Sequence, residues 1–459
     1  MAVTATTGNI GVALQLGGTN AKAEFFKYLD AVIQSTNKIE KPSSETDQLL
    51  KEVVKEANQQ VGTSLAKSVP VVVSFAGPVE EDGKTATPTN FEIDGKKEAT
   101  NLEERLNNIQ PNGVKFEVKV LNDAASLINA AAIGNKNLLA SGDQVYQAVM
   151  GTGTGGTRCT IAPSGGVTEI NANEPGHAKM PDLDKFELIE GADRQKIVSP
   201  VTSQAVGHVE LYTAGGNTND RGLMATVKNF KDITAMTDPY YTLNKAVNLL
   251  NDTLKENGVD LAINNQDVLK SSIMKNNNKE SSNQEITQAA KDGDKFAKAL
   301  VNFTLIRASQ ALAQSINSQG KDKPVALVSI TGSFNKGLRE AVDPNGDLQF
   351  RVIQSELKKL RHPGIKDNDP KRLVQFDPKL DGTPLILEER LKAGSAQGQV
   401  QAVQQGETKL PRITTKASTN HEHNKPQQHG DGIPGGTFSG FRNLIVNVFN
   451  GGQNTVSNK

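Results

Sequence analysis

Short apolar runs alternate with amphipathic patterns through the first half of the chain. Five runs have the length and composition of β-strands, at residues 10–16, 71–75, 115–121, 144–150 and 157–162. Residues 48–60 place their apolar side chains on one face of a helix, and residues 123–133 continue as a helix directly from a strand. This order of strands and helices predicts an α/β fold with mixed sheets.

The second half of the chain is less regular. A polar segment rich in Asn, Lys and Asp, at about 213–285, is predicted to be an insertion that is helical in parts such as Leu243–Leu254 and otherwise faces solvent. A long amphipathic helix follows at about 295–318, and a buried strand at 325–330. Beyond about residue 407 the composition shifts to Gly, Asn, Thr, Gln and His, so residues 408–459 are predicted to be mostly disordered.

Composition narrows the classes of function. The 51 basic and 51 acidic side chains cancel, and no long basic run occurs, so neither nucleic acid nor an anionic membrane is expected as a partner. The single cysteine, Cys159, excludes a disulfide framework and is predicted to be a small buried core residue. The chain has neither a signal-peptide pattern nor an apolar stretch of roughly 20 residues, so a cytoplasmic location is expected.

Three glycine-bearing turns follow predicted strands and are candidates for binding phosphate. Glycine lets the backbone approach a phosphate, whose oxygens can accept hydrogen bonds from the turn amides and from threonine hydroxyls. A single such turn is better explained as a plain hairpin, and neither the Walker spacing nor the dinucleotide fingerprint is present. Three in this order favour a nucleotide site. The candidate residues are Gly17, Gly18, Thr19, Asn20, Gly151, Thr152, Gly153 and Gly332.

Asn122 and Asp123 stand where a predicted strand ends and a helix begins. Both residue types are favoured helix N-caps, and capping alone explains either of them. The alternative is that Asp123 accepts the proton of an attacking hydroxyl. The two interpretations are compatible, since one residue can cap the helix while the other faces a site. Further along, Glu174 and His177 flank a stiff Pro-Gly turn and suit hydrogen bonding to vicinal hydroxyls, whereas Glu210 is by composition an ordinary solvated glutamate.

In this order the motifs resemble the ROK family of repressors, uncharacterised proteins and sugar kinases, within the hexokinase–actin–Hsp70 superfamily. The segments that match the family pattern are 16–20, 75–79, 87–90, 121–124, 151–156, 174–177, 207–212, 290–294 and 325–334. The resemblance runs from about residue 10 to 334, apart from the insertion, and is fainter to about 405. It is specific for the family, and it does not choose among glucose, fructose, mannose and N-acetyl sugars.

The resemblance implies an actin-like (ribonuclease H-like) ATPase fold with two domains around a cleft: residues 1–122 as a small α/β domain and 123–407 as a larger one. It implies a hexokinase- or glucokinase-type ATP-dependent sugar kinase with Asp123 as general base, and it is compatible with a homodimer. ATP and Mg²⁺ are the implied cofactors, with adenosine near Gly332 and the phosphates against the first two glycine turns. The implied sugar contacts are Asn90, Asn122, Asp123, Glu174, His177 and Glu210.

Two positions depart from the family pattern. Gln15 stands where the family carries an aspartate that helps to hold Mg²⁺, and a glutamine brings no charge to a cation that prefers carboxylate oxygens. Metal binding is then weaker, or another carboxylate substitutes. The family's zinc cysteines are also missing, since Val201, Ser203 and His208 occupy those positions. No zinc site is therefore expected, which leaves His177 as a sugar contact at most.

Two other classes of function compete with a kinase. A catalytically weak sugar-binding or regulatory protein on the same fold is the alternative that Gln15 motivates. A DNA-binding repressor is not expected, because the family's repressors carry a helix-turn-helix before the first strand and fewer than ten residues precede Ile10 here.

Overall fold

The computed structural model describes residues 9–17, 20–29, 32–61, 68–89, 91–111, 113–150, 154–163, 165–173, 222–235, 239–275, 282–320 and 322–400. The chain divides into two compact units, each with its own hydrophobic core. The first unit runs to Ser126 and resumes at Lys379, and the second runs from Leu127 to Pro378. Within the described ranges, no helix combines the length and apolar character required to span a bilayer.

A five-stranded sheet forms the centre of the first unit. Its strands are β1 (Asn9–Leu16), β2 (Asn20–Leu29), β3 (Val32–Pro42), β4 (Ser68–Phe75) and, after the short pair β5 (Thr85–Ala86) and β6 (Thr100–Asn101), β7 (Lys115–Asn122). The spatial order is β3-β2-β1-β4-β7. The first three strands form an antiparallel meander, whereas β1, β4 and β7 are parallel. Parallel neighbours require crossovers, which contain helices α1 (Thr46–Val61) and α2 (Leu102–Ile109).

The apolar face predicted for the first crossover helix is confirmed. In α1 the side chains of Leu49, Leu50, Val53, Val54 and Ala57 are all buried, and they belong to the same core cluster as the central strands. This helix is held mainly by its packing, because an isolated helix of about four turns with several polar residues is marginal in water.

The second unit contains another five-stranded sheet with the same connectivity. Its strands are β8 (Gln144–Met150), β9 (Thr154–Ile161), β10 (Val167–Asn173), β11 (Val325–Thr331) and β12 (Leu373–Gln375). The order is β10-β9-β8-β11-β12, with an antiparallel meander first and then parallel neighbours of β8. The α/β prediction with mixed sheets is therefore confirmed, and each unit is built on one copy of the same sheet.

The polar segment at 213–285, predicted to be mostly solvent-facing, is largely helical and packed where the structure describes it. The helices, following α3 (Asp123–Gly134), are α4 (Gly222–Thr234), α5 (Pro239–Glu256), α6 (Asn265–Lys270), α7 (Ser272–Lys275) and α8 (Asn283–Lys291). They form one core with α9 (Lys295–Gln319), in which the rings of Phe230 and Phe296 meet edge to face at 4.8 Å. The helix predicted at Leu243–Leu254 is confirmed within α5, whereas the prediction of a solvent-facing excursion for the rest of the segment was wrong where the structure describes it.

The physical reason for this correction is visible in α4. Leu223, Val227, Phe230 and Ile233 recur at helical spacing and are buried, with polar residues such as Lys228 and Asp232 between them. Apolar residues at this spacing form a buried helix face, so a polar average composition hides a packed helix.

After α10 (Ser333–Val342), α11 (Asp347–Lys359) and β12 the chain returns to the first unit. A short 3₁₀ turn, Lys379–Gly382, leads into α12 (Thr383–Val400), which packs against β1 and β4. The Arg390 guanidinium donates to the carbonyl of Val71 on β4 at 3.0 Å. The sequence-based division placed 123–407 in one domain, whereas residues 379–400 belong with the first unit. The predicted tail at 408–459 lies outside the described residues.

Candidate functional site

The turn between β1 and β2 is the first predicted phosphate loop. The Gly17 amide donates to the carbonyl of Asn20 at 3.2 Å and closes the turn. A Cβ on Gly17 would lie 3.3 Å from that carbonyl oxygen, so glycine fits this turn with the least displacement. Gly18 and Thr19 lie outside the described residues, and phosphate binding by this loop stays a prediction.

The turn that follows β4 joins several of the predicted sugar-side segments. The Thr89 hydroxyl donates to the carbonyl of Ala76 at 2.9 Å, and the Asn122 side-chain amide donates to the carbonyl of Gly77 at 3.0 Å. A Cβ on Gly77 would stand only 2.2 Å from the carbonyl oxygen of Thr87, so glycine permits this close approach. The structure thus brings the segments at 75–79, 87–89 and 121–124 together in one hydrogen-bonded assembly.

Asp123 opens α3 at the carboxyl end of β7. Its Oδ1 accepts a hydrogen bond from the Ala124 amide at 2.8 Å, and Asn122 Oδ1 accepts from the same amide at 3.1 Å. Burial raises the pKa of Asp123 from 3.8 to about 6; the Ala124 amide opposes this shift, and the negative charge of Asp381 reinforces it. Asp123 therefore takes part in capping the helix and also has the basicity of a proton acceptor near neutral pH.

Asp381 is a residue of this site that the sequence interpretation missed. Gln15 Nε2 donates to Asp381 Oδ2 at 2.9 Å, and the Ser74 hydroxyl donates to the same oxygen at 2.7 Å. Burial raises the pKa of the Asp381 carboxyl, while the hydrogen bonds from Ser74 and Gln15 and the charge of Lys22 lower it. The carboxylate absent from position 15 is thus present beside it, on a different part of the chain.

The backbone of the segment that carries Asp381 is held in an unusual conformation. Leu380 and Asp381 have φ values of 51° and 52°, in the left-handed region that non-glycine residues rarely adopt. The Ser126 hydroxyl donates to the carbonyl of Asp381 at 2.9 Å, and Thr383 Oγ1 donates to that of Leu380 at 2.9 Å. The first of these contacts ties the segment to α3 and the second to the start of α12, while the hydrogen bonds from Gln15 and Ser74 tie the Asp381 carboxylate to β1 and β4.

In the second unit, Gly332 connects β11 to α10 with a φ of 113°, a conformation suited to glycine. Its amide donates to Asp377 Oδ1 at 3.0 Å, and the Thr331 hydroxyl donates to the same oxygen at 3.1 Å. The Lys336 ammonium lies 3.8 Å from the other carboxylate oxygen. The amino end of α10 is therefore occupied by a side chain of the protein itself, which leaves contact with adenosine by Gly332 a prediction.

The remaining predicted site residues lie outside the described residues. They are Gly18, Thr19, Asn90, Gly151, Thr152, Gly153, Glu174, His177 and Glu210. Cys159 is fully buried, and burial raises its thiol pKa to about 12, which confirms its prediction as a core residue. Among the described residues, no group of three or more His, Cys, Asp or Glu side chains is arranged to hold a metal ion.

Comparison with known proteins identifies the family. A family model described as Glucokinase matches residues 12–264, more than half of the 459-residue chain. This chain belongs to the glucokinase family. The match confirms the resemblance to ROK sugar kinases and the actin-like α/β class, with which the two sheets of equal connectivity agree.

Several solved structures are similar to this glucokinase-family chain at low sequence identity. A ROK family glucokinase from Streptomyces griseus, in complex with glucose and AMPPNP, is 19% identical, with 83% of this chain and 97% of that chain covered and a TM-score of 0.41. The ROK hexokinase from Thermus thermophilus is 16% identical, with 84% of this chain and 100% of that chain covered and a TM-score of 0.42. A ROK family transcriptional regulator described as a homologue of the E. coli MLC protein is 13% identical, with 86% of this chain and 81% of that chain covered and a TM-score of 0.48. No curated protein sequence gave a match.

Gln15 and Asp381 fit the Mg²⁺ ion that a kinase of the glucokinase family would use. Mg²⁺ is a hard cation that proteins bind through one or two carboxylates, with water and substrate phosphates completing the coordination. Asp381 supplies a carboxylate, and Gln15 supplies an amide oxygen while its nitrogen bonds Asp381. The donor set is all oxygen, as this ion requires.

Proposed function

We propose that this member of the glucokinase family is an ATP-dependent sugar kinase that phosphorylates a hexose hydroxyl. The observation that carries the proposal is the environment of Asp123, whose pKa burial raises to about 6 at the end of a parallel strand. A base in this range is still ionised in roughly nine of ten copies at pH 7, yet binds a proton more strongly than an ordinary aspartate. Family membership supplies the reaction class, and Asp123 supplies a residue able to start it.

On the sugar side, Asp123 would take the proton of the attacking hydroxyl as that oxygen approaches the terminal phosphate. The Asn122 side chain is fixed between the carbonyl of Gly77 and the amide of Ala124, so it positions the start of α3. The segment at 87–89 is held against the same turn and leads directly to Asn90. The side chains that would contact the sugar are those of Asn90, Asn122, Glu174, His177 and Glu210. They would hold the sugar so that its attacking hydroxyl lies next to the Asp123 carboxylate.

On the nucleotide side, the turns that begin at Gly17 and Gly151 would bind the phosphates, and Gly332 would lie near adenosine. Mg²⁺ would be held at Gln15 and Asp381, where it would neutralise phosphate charge as the phosphoryl group transfers. Positioning and neutralisation of charge supply most of the rate in such reactions, and the protein's task is to align the donor and acceptor oxygens.

A second candidate function is a catalytically weak sugar-binding or regulatory protein on the same fold. The observation that favours it is Gln15, because a neutral side chain replaces the aspartate expected at the metal. It differs from the kinase in one measurable respect: a sugar binds without stimulating turnover of ATP.

The test is ADP release by the purified full chain with ATP, Mg²⁺ and a panel of hexoses and N-acetylhexosamines. We expect one or more sugars to stimulate release, and Asp123→Asn to lower the stimulated rate at least about 10²-fold. Asp47→Asn is the matched control, because Asp47 bonds the Asp94 amide in the same unit and has no part in the site. Binding of a sugar without stimulated turnover would favour the regulatory alternative, and an unchanged rate for Asp123→Asn would contradict the role of the base.

A further inference from the structure

The Gln15–Asp381 contact joins two segments that are 366 positions apart in sequence, at the start of the predicted phosphate loop. Gln15 is the next-to-last residue of β1, which ends at Leu16 just before Gly17. Ser74 is its partner in the register of the neighbouring strand β4. Both side chains donate to one oxygen of Asp381, Oδ2. Within the described residues the other oxygen, Oδ1, accepts no hydrogen bond, and neither does Gln15 Oε1. Each side chain of this hydrogen-bonded pair therefore keeps one oxygen that accepts no hydrogen bond from a described residue.

The charge of Asp381 has no cation bound to it in the described part of the chain. No Lys, Arg or His nitrogen lies within 4.0 Å of its carboxylate there, whereas Glu24, Glu52 and Glu103 of the same unit each pair with a lysine. A partly buried carboxylate is stabilised by a positive partner, and a hard divalent cation is one such partner.

Asp381 has no part in capping the helix that follows it. Its carboxylate bonds side chains of β1 and β4 and, among the described residues, no backbone amide of α12. Its left-handed backbone is held by Ser126 through its carbonyl, which leaves the side chain directed at Gln15. Helix formation alone does not require this arrangement.

We propose that Asp381 supplies the carboxylate that position 15 lacks, and that Asp381 and Gln15 together hold the Mg²⁺ that accompanies the nucleotide. The inference rests on the proposed kinase function, because it is the nucleotide's metal that they bind. The neutral Gln15 is then a consequence of Asp381 and not a loss. A second carboxylate at position 15 would lie close to the first, where two like charges cannot both be ionised without cost.

The inference predicts a compensating exchange. In Asp381→Asn the carboxylate is gone and an amide of equal size remains. In the double variant Gln15→Glu, Asp381→Asn both side chains keep their length while the carboxylate and the amide change places, so one charge and one hydrogen bond between them can be restored. Gln15→Asp alone places two carboxylates together and is not expected to improve metal binding.

The experiment measures binding of AMPPNP by calorimetry to the full chain, once with Mg²⁺ and once with EDTA. We expect Mg²⁺ to strengthen binding to the wild type, Asp381→Asn to lower the affinity in Mg²⁺ at least about tenfold, and the double variant to recover most of it. In EDTA, the variants should bind AMPPNP with the affinity of the wild type. The Asp47→Asn control should match the wild type under both conditions. Thermal unfolding of each variant shows whether the chain is folded, and the double variant carries the test if Asp381→Asn does not fold.

Two results would overturn the inference while leaving the kinase proposal intact. One is full retention of the Mg²⁺ effect in Asp381→Asn. The other is an equal loss of affinity in Mg²⁺ and EDTA with no recovery in the double variant, which would make Asp381 a structural latch for α12. If the wild type binds no AMPPNP under either condition, the proposed function itself fails, and the inference fails with it.

Discussion

Replacing Asp123 with asparagine separates the two interpretations of this residue by the sign of its effect on stability. Asparagine keeps an oxygen that accepts from the Ala124 amide, so the hydrogen bond at the start of α3 is retained. If Asp123 were only a cap, losing its charge at the amino end of a helix would be neutral or destabilising, by about 0.3–1 kcal/mol. If its burial raises its pKa as the structure indicates, losing the charge should instead stabilise the folded protein.

The magnitude follows from the shift in pKa. The unfolded chain releases the proton near 3.8 and the folded chain near 6. The difference corresponds to about 3 kcal/mol at roughly 1.36 kcal/mol per pKa unit. Because the folded pKa is the higher one, the stability that Asp123 contributes is complete below pH 3.8 and is lost as the pH rises to about 6. Above that pH, Asp123→Asn should exceed the wild type by up to about 3 kcal/mol.

The assay is urea unfolding of wild type and Asp123→Asn between pH 4 and pH 8, with equal slopes required for comparison. We expect similar unfolding free energies at pH 4 and a difference that grows to a plateau above about pH 6. A variant that is less stable than the wild type at pH 8, or equally changed at both pH values, would refute the account of a buried, basic carboxylate. Gain of stability together with loss of activity is expected where a site holds a costly charge.

Other predictions concern the pH dependence of turnover, the turn at 75–79, the hydrophobic core of the second unit and position 15. For the active kinase, kcat/KM should fall about tenfold per pH unit below about pH 6, as Asp123 becomes protonated, in a pH–rate profile. Gly77→Ala places a Cβ against the carbonyl of Thr87, so it should lower the unfolding free energy by about 1–3 kcal/mol and weaken sugar binding by calorimetry. Phe230→Ala should lower the unfolding free energy by about 3–5 kcal/mol, measured by denaturation, without altering the Mg²⁺ dependence of AMPPNP binding. Gln15→Asp alone should leave the Mg²⁺ requirement of turnover unchanged or higher.

Local patterns in the sequence predicted much of the first unit. Five apolar positions of α1 recur at helical spacing, and the structure buries all of them. The junction at Asn122 and Asp123 was readable as well, because a β-rich run passes directly into a helix with capping residues. Such features depend on neighbours in sequence, which is why composition and spacing suffice to find them.

Relations between distant segments were not predictable in the same way. The two sheets share one connectivity, yet no repeat is visible in the sequence, because the pairing of strands depends on backbone hydrogen bonds that many side chains permit. Asp381 lies 366 positions from Gln15, and nothing near it in sequence indicates its partner. The neutral residue at position 15 was the one available signal, since it raised the need for another carboxylate without locating it.

The most direct test of the central claim is detection of the phosphorylated sugar itself. ³¹P NMR of wild type and Asp123→Asn, each incubated with ATP, Mg²⁺ and the sugar that stimulates ADP release, follows the phosphoryl group to its acceptor. We expect the wild type to form a sugar phosphate in step with ADP and the variant to form almost none. ADP with inorganic phosphate and no sugar phosphate, or equal sugar phosphate from both proteins, would contradict it.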